Sequence, residues 1–134
     1  MPFKFEKLEI WNLSMDLAEE IYGLTKKFPK DERFNLTSQF IRAADSVSLN
    51  ISEGSIGQTD PEQSRFIGYA VRSIAECVTC LHKARRRKYI SQEEFAIYYE
   101  KEEILMGKTI NFRKSIKKGT SLIKIPKMIL MFFP

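Results

Sequence analysis

Apolar residues return along this chain at steps of three and four, the period of a helix that hides one face from water. Leu8, Trp11, Met15, Ala18, Ile21, Tyr22, Thr25 and Phe28 make the first such line, which predicts a helix over about 7–28 stopped by Pro29. A polar loop over 30–33 follows. The second line is Leu36, Phe40, Ala43, Ala44, Val47 and Ile51, with Asn35 or Thr37 as candidate N-cap and Gly54 and Gly57 at its end. The third opens with Asp60 as cap and Pro61 at the first helical position. It continues through Phe66, Ile67, Ala70, Val71, Ile74, Cys77, Val78 and Leu81. Those positions spread over more than half of the helical wheel, so this helix needs more than one neighbour, within the chain or across a subunit boundary. The fourth begins with a capping box, Ser91 with Glu94, and carries Phe95, Tyr98, Tyr99, Leu105, Met106, Phe112 and Ile116. Glu102 and Thr109 interrupt that line, and Gly119 is the expected terminator.

Four helices joined by short loops predict an all-α, antiparallel up-down-up-down four-helix bundle over residues 1–119. Residues 120–134 read as a separate hydrophobic and basic tail, split by Pro126 and expected to dock on the bundle or on a neighbouring subunit. The tail is shorter than a bilayer requires, and no other run approaches the ~18 apolar residues of a spanning helix. Lys4, Glu6, Lys7 and Glu9 break up any secretory leader, so a cytoplasmic protein is expected.

Charge changes this picture because it is polarised. Residues 1–82 carry 9 Lys/Arg against 12 Asp/Glu, whereas residues 83–134 carry 13 against 5. Such a chain can present a basic surface to a polyanion. The candidate phosphate contacts are Arg85, Arg86, Arg87 and Lys88 at the end of the third helix, and Arg113, Lys114, Lys117 and Lys118 near the end of the fourth. In an up-down bundle these two clusters lie at opposite ends. Cations at a helix C-terminus also suit its dipole with no ligand involved.

A second constellation lies on the middle helices. Arg42, Ser46, Asn50 and Glu53 flank the apolar stripe of the second helix, and Ser73 and Glu76 sit on the third. Packed antiparallel, the two rows face each other and can satisfy one another, which reads first as a network fixing helix register and second as a ligand pocket. Cys77 and Cys80 form one C-x-x-C pair with a single His, His82, in the chain. Two core-packed thiols fit that better than a metal site, which wants about four ligands. No phosphate-binding glycine loop and no hydrolase or metalloprotease motif is present, and no cofactor is implied.

The residues resemble a family at this point. Phe28-Pro29-Lys30-Asp31-Glu32-Arg33-Phe34 with Leu36-Thr37-Ser38-Gln39 is similar to the first inter-helix turn of the bacterial four-helix-bundle proteins encoded in 23S rRNA intervening sequences. Arg42-Ala43-Ala44, Ser46-Val47, Asn50-Ile51 and Glu53-Gly54 fit the same pattern, as do Phe66, Ala70, Ser73 and Glu76, the opening Leu8 and Trp11, and Tyr89-Ile90-Ser91. Ser52 and Arg72 depart from it, standing where the family usually has Ala and Gly, and the larger Arg72 bears on close helix packing. The resemblance covers about 5–118. It implies an antiparallel bundle, a homo-oligomer that is often a pentamer, and kinship in fold with accessory proteins of diversity-generating retroelements. It supplies no catalytic residues. Together these readings predict a non-enzymatic, oligomeric bundle that binds RNA or an RNA-associated protein through basic surface. The alternative is a structural protein–protein adaptor.

Overall fold

A computed structural model of the protein describes residues 3–56 and 59–124, with side chains described as far as Ile116. Among these residues there are four α-helices and no strand: α1 (Glu9–Thr25), α2 (Leu36–Gly54), α3 (Asp60–Arg86) and α4 (Gln92–Lys124). Short 3-10 turns at Lys4–Lys7 and Lys30–Glu32 precede α1 and α2.

Contacts along the helices fix their directions. Ser46 of α2 meets Ser73 of α3 near mid-helix, while Gly54 at the end of α2 abuts Gln63 and Phe66 near the start of α3. Between α3 and α4, Ser64 meets Arg113, His82 meets Phe95 and Arg85 meets Gln92. Between α1 and α4, Glu9 pairs with Lys108 and Glu20 with Lys101, and just past the end of α1 Lys27 pairs with Glu94. In each pair of helices the partner's number falls as the first rises, so neighbours run antiparallel. The bundle is closed by α1 against α4, along a seam of ion pairs whose partners are mostly exposed. Such pairs orient helices more than they stabilise them.

The core follows from the apolar lines. Ile10, Leu17, Ala18, Ile21 and Leu24 of α1 meet Leu36, Phe40, Ala43, Ala44, Val47 and Ile51 of α2, and all are buried. Ile67, Ala70, Ile74, Cys77, Leu81 and Ala84 of α3 are each 0% exposed, because α3 packs on both α2 and α4. The centre of its wide apolar arc is therefore covered within the chain, while Phe66, Val71 and Val78 stay half-buried and Tyr69 exposed. Cys77 and Cys80 are buried, free thiols. Burial pushes the Cys80 thiol up to about 11 and raises Cys77 further still, with the Glu102 carboxyl as its next cause.

Several helix ends differ from the sequence expectation. Helix α1 ends at Thr25; Lys26, Lys27 and Phe28 continue it only as a tighter turn, their N–H groups reaching carbonyls three residues back. Helix α3 is capped by Thr59 rather than Asp60, its hydroxyl accepting from the Glu62 N–H at 3.4 Å. Glycine costs a helix about 1 kcal/mol without forbidding it, and α4 runs past Gly119 to Lys124. The remainder of the tail, 125–134, lies outside the described residues. The capping box is present, with the Glu94 N–H donating to Ser91 Oγ at 3.0 Å and the Ser91 N–H to Glu94 Oε1 at 2.9 Å.

Glu102 and Thr109 do not interrupt the inner face of α4; they are part of it. Thr109 is 0% exposed and donates its hydroxyl to the Leu105 carbonyl at 2.7 Å. Glu102 is 1% exposed and neither of its carboxyl oxygens has a hydrogen-bond partner. Burial pushes its pKa up to about 8, against a weak opposing pull from the adjacent Cys77 thiol. A carboxyl group survives in such a core by staying protonated. Arg72 stands outside the helix interfaces, exposed, with its guanidinium 5.6 Å from the Tyr69 ring centre.

Candidate nucleic-acid interface

The α1–α2 loop and the α3–α4 turn lie at the same end of the bundle, and one carboxylate clasps them. Pro29, extended at φ −65° and ψ 155°, turns the chain into the Lys30–Glu32 turn and aims Glu32 inward, where the residue is 8% exposed. Glu32 Oε1 accepts from the Leu36 N–H at 3.2 Å and from Asn35 Nδ2 at 3.0 Å. Glu32 Oε2 accepts from the Tyr89 hydroxyl at 2.6 Å and from Arg87 Nη1 at 3.0 Å. The Tyr89 hydrogen bond is the largest cause of a lowered Glu32 pKa; the Leu36 N–H, the Arg87 charge and Asn35 add to it, against a desolvation penalty. The same hydrogen bond raises the Tyr89 pKa. The Tyr89 ring packs 5.4 Å from Phe28, itself 6.4 Å from Phe40.

Glu32 thereby does the capping expected of Asn35 or Thr37: Asn35 occupies the N-cap position of α2 without a side-chain cap bond, and Thr37 lies inside the helix. The sequence reading placed Glu32 in a polar loop. The available signal was its place four residues before the first buried Leu of α2, but its partners Arg87 and Tyr89 lie more than fifty positions away and only folding brings them near.

The α3–α4 turn is a Schellman motif. The Tyr89 N–H bonds the Ala84 carbonyl and the Lys88 N–H bonds the Arg85 carbonyl, each at 2.9 Å. Lys88 takes the left-handed position at φ 64°, where glycine is usual. No glycine marks this turn in the sequence, so the motif was not legible there.

The four cations of this turn divide. Arg85 lays its guanidinium 4.0 Å from the Phe95 ring centre and bonds His82 Nδ1 at 3.3 Å and Gln92 Oε1 at 3.4 Å. Arg87 is held by Glu32. Arg86 and Lys88 are exposed and have no partner among the described residues. The clasp sets beside them cations that sequence reasoning missed: exposed Lys26, Lys30 and Arg33 of the other loop. Segments 26–33 and 83–94 together hold nine Lys/Arg against four Asp/Glu, so this end is a basic pole.

Arg113 lies at the opposite end and is engaged. Its Nε donates to the Ser64 carbonyl at 2.8 Å and to Ser64 Oγ at 3.3 Å. It crosses α3 over Gly68, where any Cβ would stand 2.7 Å from Arg113 Nη2. Lys114 is exposed, and the side chains of Lys117 and Lys118 lie outside the described ones.

The polar row of α2 and α3 comes together only at its centre. Ser46 Oγ and Ser73 Oγ are 2.8 Å apart, and Asn50 Nδ2 donates to Ser46 Oγ at 3.0 Å and to the Ser46 carbonyl at 2.9 Å. Arg42, Glu53 and Glu76 are exposed and form no ion pair among the described residues. The expected Arg–Glu bridges are absent among the described residues, and all three side chains stay in water. Elsewhere, a groove of about 260 Å³ near the start of α1 is lined by Leu8, Phe112 and Ile116 with Lys4 and Asp60 as its charged residues. Among the described residues no group of three His, Cys, Asp or Glu side chains could hold a metal ion, and no helix is long and apolar enough to cross a membrane.

Fold and pole together define a four-helix-bundle protein with a basic end. A family model described as 23S rRNA-intervening sequence protein matches residues 6–111, and the chain belongs to that family. A crystal structure of a protein of unknown function from the S23 ribosomal protein family of Bacteroides thetaiotaomicron has a TM-score of 0.73 to this chain at 21% identity, covering 78% of this chain and 98% of the other. That likeness concerns the fold alone. No curated protein matches the chain.

Proposed function

We propose that this protein is a non-catalytic, cytoplasmic RNA-binding subunit whose basic pole contacts phosphates. The observation that carries the reading is the Glu32 clasp. It neutralises one acid and one base internally and leaves Lys26, Lys30, Arg33, Arg86 and Lys88 outward on one end of the bundle. Cations so grouped displace condensed counterions from a nucleic-acid backbone, which makes binding favourable, salt-sensitive and largely indifferent to sequence. Lys88 adds to the argument. A non-glycine residue in the left-handed region costs about 1 kcal/mol, and a cation kept there at φ 64° suits a surface role better than a folding one. Self-association of the bundle, to the pentamer of the family resemblance, is part of the proposal. It would repeat the pole around a ring, and exposed Leu49 and Tyr69 leave apolar surface for subunit contact.

The test is a titration of labelled RNA at about 50 and 200 mM salt, alongside light scattering for mass. Affinity should fall steeply with salt, and Arg86→Ala with Lys88→Ala should weaken binding and reduce the salt slope by roughly one per residue. Salt-insensitive binding, no binding, or a double variant indistinguishable from wild type would remove the proposal. A monodisperse monomer would remove its oligomeric part.

A further inference from the structure

Phe34 is the most exposed of the large apolar residues described, at 87%. It is not loose. Glu32 is anchored two residues before it, Leu36 is buried two residues after it, and the Arg33 and Asn35 N–H groups are bonded to Lys30 and Glu32 carbonyls at 3.0 and 2.9 Å. The neighbouring aromatics Phe28 and Phe40 are buried, so the core at this end is already filled without Phe34. The Arg33 guanidinium lies 5.1 Å from the Phe34 ring centre, and exposed Lys30 is close by in sequence. In the last turn of α1, exposed Tyr22 repeats the arrangement, with Lys26 Nζ 4.2 Å from its ring centre.

Resting on the RNA-binding reading above, we propose that Phe34 is a base-stacking platform, and that the basic pole takes unpaired nucleotides in preference to duplex. An aromatic ring fixed among cations gains by stacking on the face of a base while the cations hold the flanking phosphates. A duplex buries the faces of its bases and offers backbone and groove edges, which would leave Phe34 with no base to stack on. Any unpaired base has a face to offer, so the preference is for strand state and not for sequence.

The experiment uses the full chain with three labelled or competing probes: a short uridine oligonucleotide, an RNA duplex of equal length, and inorganic polyphosphate, which has charge and no bases. Wild type should bind the oligonucleotide more tightly than the duplex. Phe34→Ala should weaken oligonucleotide binding by roughly 5- to 150-fold, leave polyphosphate binding unchanged, and erase the strand preference; Phe34→Trp should restore it. Circular dichroism establishes that the variants are folded. Equal losses on oligonucleotide and polyphosphate, no loss at all, or equal wild-type affinity for duplex would each overturn the stacking role while leaving phosphate binding in place. Absence of salt-sensitive binding to all three probes would instead overturn the RNA-binding reading itself, and the stacking role with it.

Discussion

The Tyr89 hydroxyl donates to Glu32 Oε2 at 2.6 Å, joining two loops that are 57 residues apart in the chain. Because this bond is the largest cause of the lowered Glu32 pKa, it carries a definite pH dependence. A carboxylate with a lowered folded pKa stabilises the fold above its unfolded value near 4.5 and loses that contribution as pH falls through the folded value. Tyr89→Phe should therefore be less stable than wild type at neutral pH and lose less stability on acidification, because the shift that carries the pH dependence shrinks. Glu32→Gln should be less stable than wild type at neutral pH, with the gap closing in acid. Thermal melts from neutral pH down to below the carboxylate range measure both, and parallel curves for wild type and Glu32→Gln would contradict the clasp.

Glu102 carries the opposite sign. Its folded pKa is about 8 against an ordinary 4.5, so its unfavourable contribution is absent below the lower value and grows as pH rises towards the higher one. Across that window stability should fall by up to roughly 1.4 kcal/mol per pH unit, with no further slope from this group above it. The titratable groups facing it are Cys77 and Cys80 of α3; α1 and α2 carry no buried ionisable group among the described residues. Glu102→Gln should flatten the slope and be more stable than wild type at pH above about 8. Denaturant midpoints at several pH values test this.

Two glycines should respond in opposite directions. Nothing lies within 4 Å of a Cβ added at Gly107, so Gly107→Ala should stabilise α4 by about 0.5–1 kcal/mol. A Cβ at Gly54 would stand 3.0 Å from Phe66 Cβ and 3.2 Å from the Gln63 carbonyl oxygen, where α2 closes on α3. Backbone cannot swing aside, so Gly54→Ala should lower the melting temperature despite alanine's better helix propensity.

Lys88→Gly separates folding from binding. Glycine enters the left-handed position freely, so the variant should match or exceed wild type in stability, by up to about 1 kcal/mol. Its RNA affinity should nevertheless drop, because an exposed ammonium is lost from the pole. Melts and titrations on one preparation read both quantities.

Alkylation provides a check on the core. Cys77 and Cys80 are buried and both thiols are raised in pKa, so neither should react with iodoacetamide in the native protein at mildly alkaline pH, and both should react in denaturant.

The sequence by itself determined the four helices, their antiparallel order and most of the core, because these rest on local period and short loops: Ile21, Phe40, Ile74 and Leu81 are buried as their spacing requires. It also marked Arg86 and Lys88 as cations of one turn. What only the tertiary structure decided was which charges remain free. Arg85, Arg87 and Arg113 look like their neighbours in the chain, yet Phe95, Glu32 and Ser64 engage them, and Glu102, which reads as a break in the apolar line of α4, lies in the core. Helical periodicity follows from neighbours three and four residues away. The state of a charge depends on whatever folding places within a few ångströms of it, and here those partners come from other helices and loops.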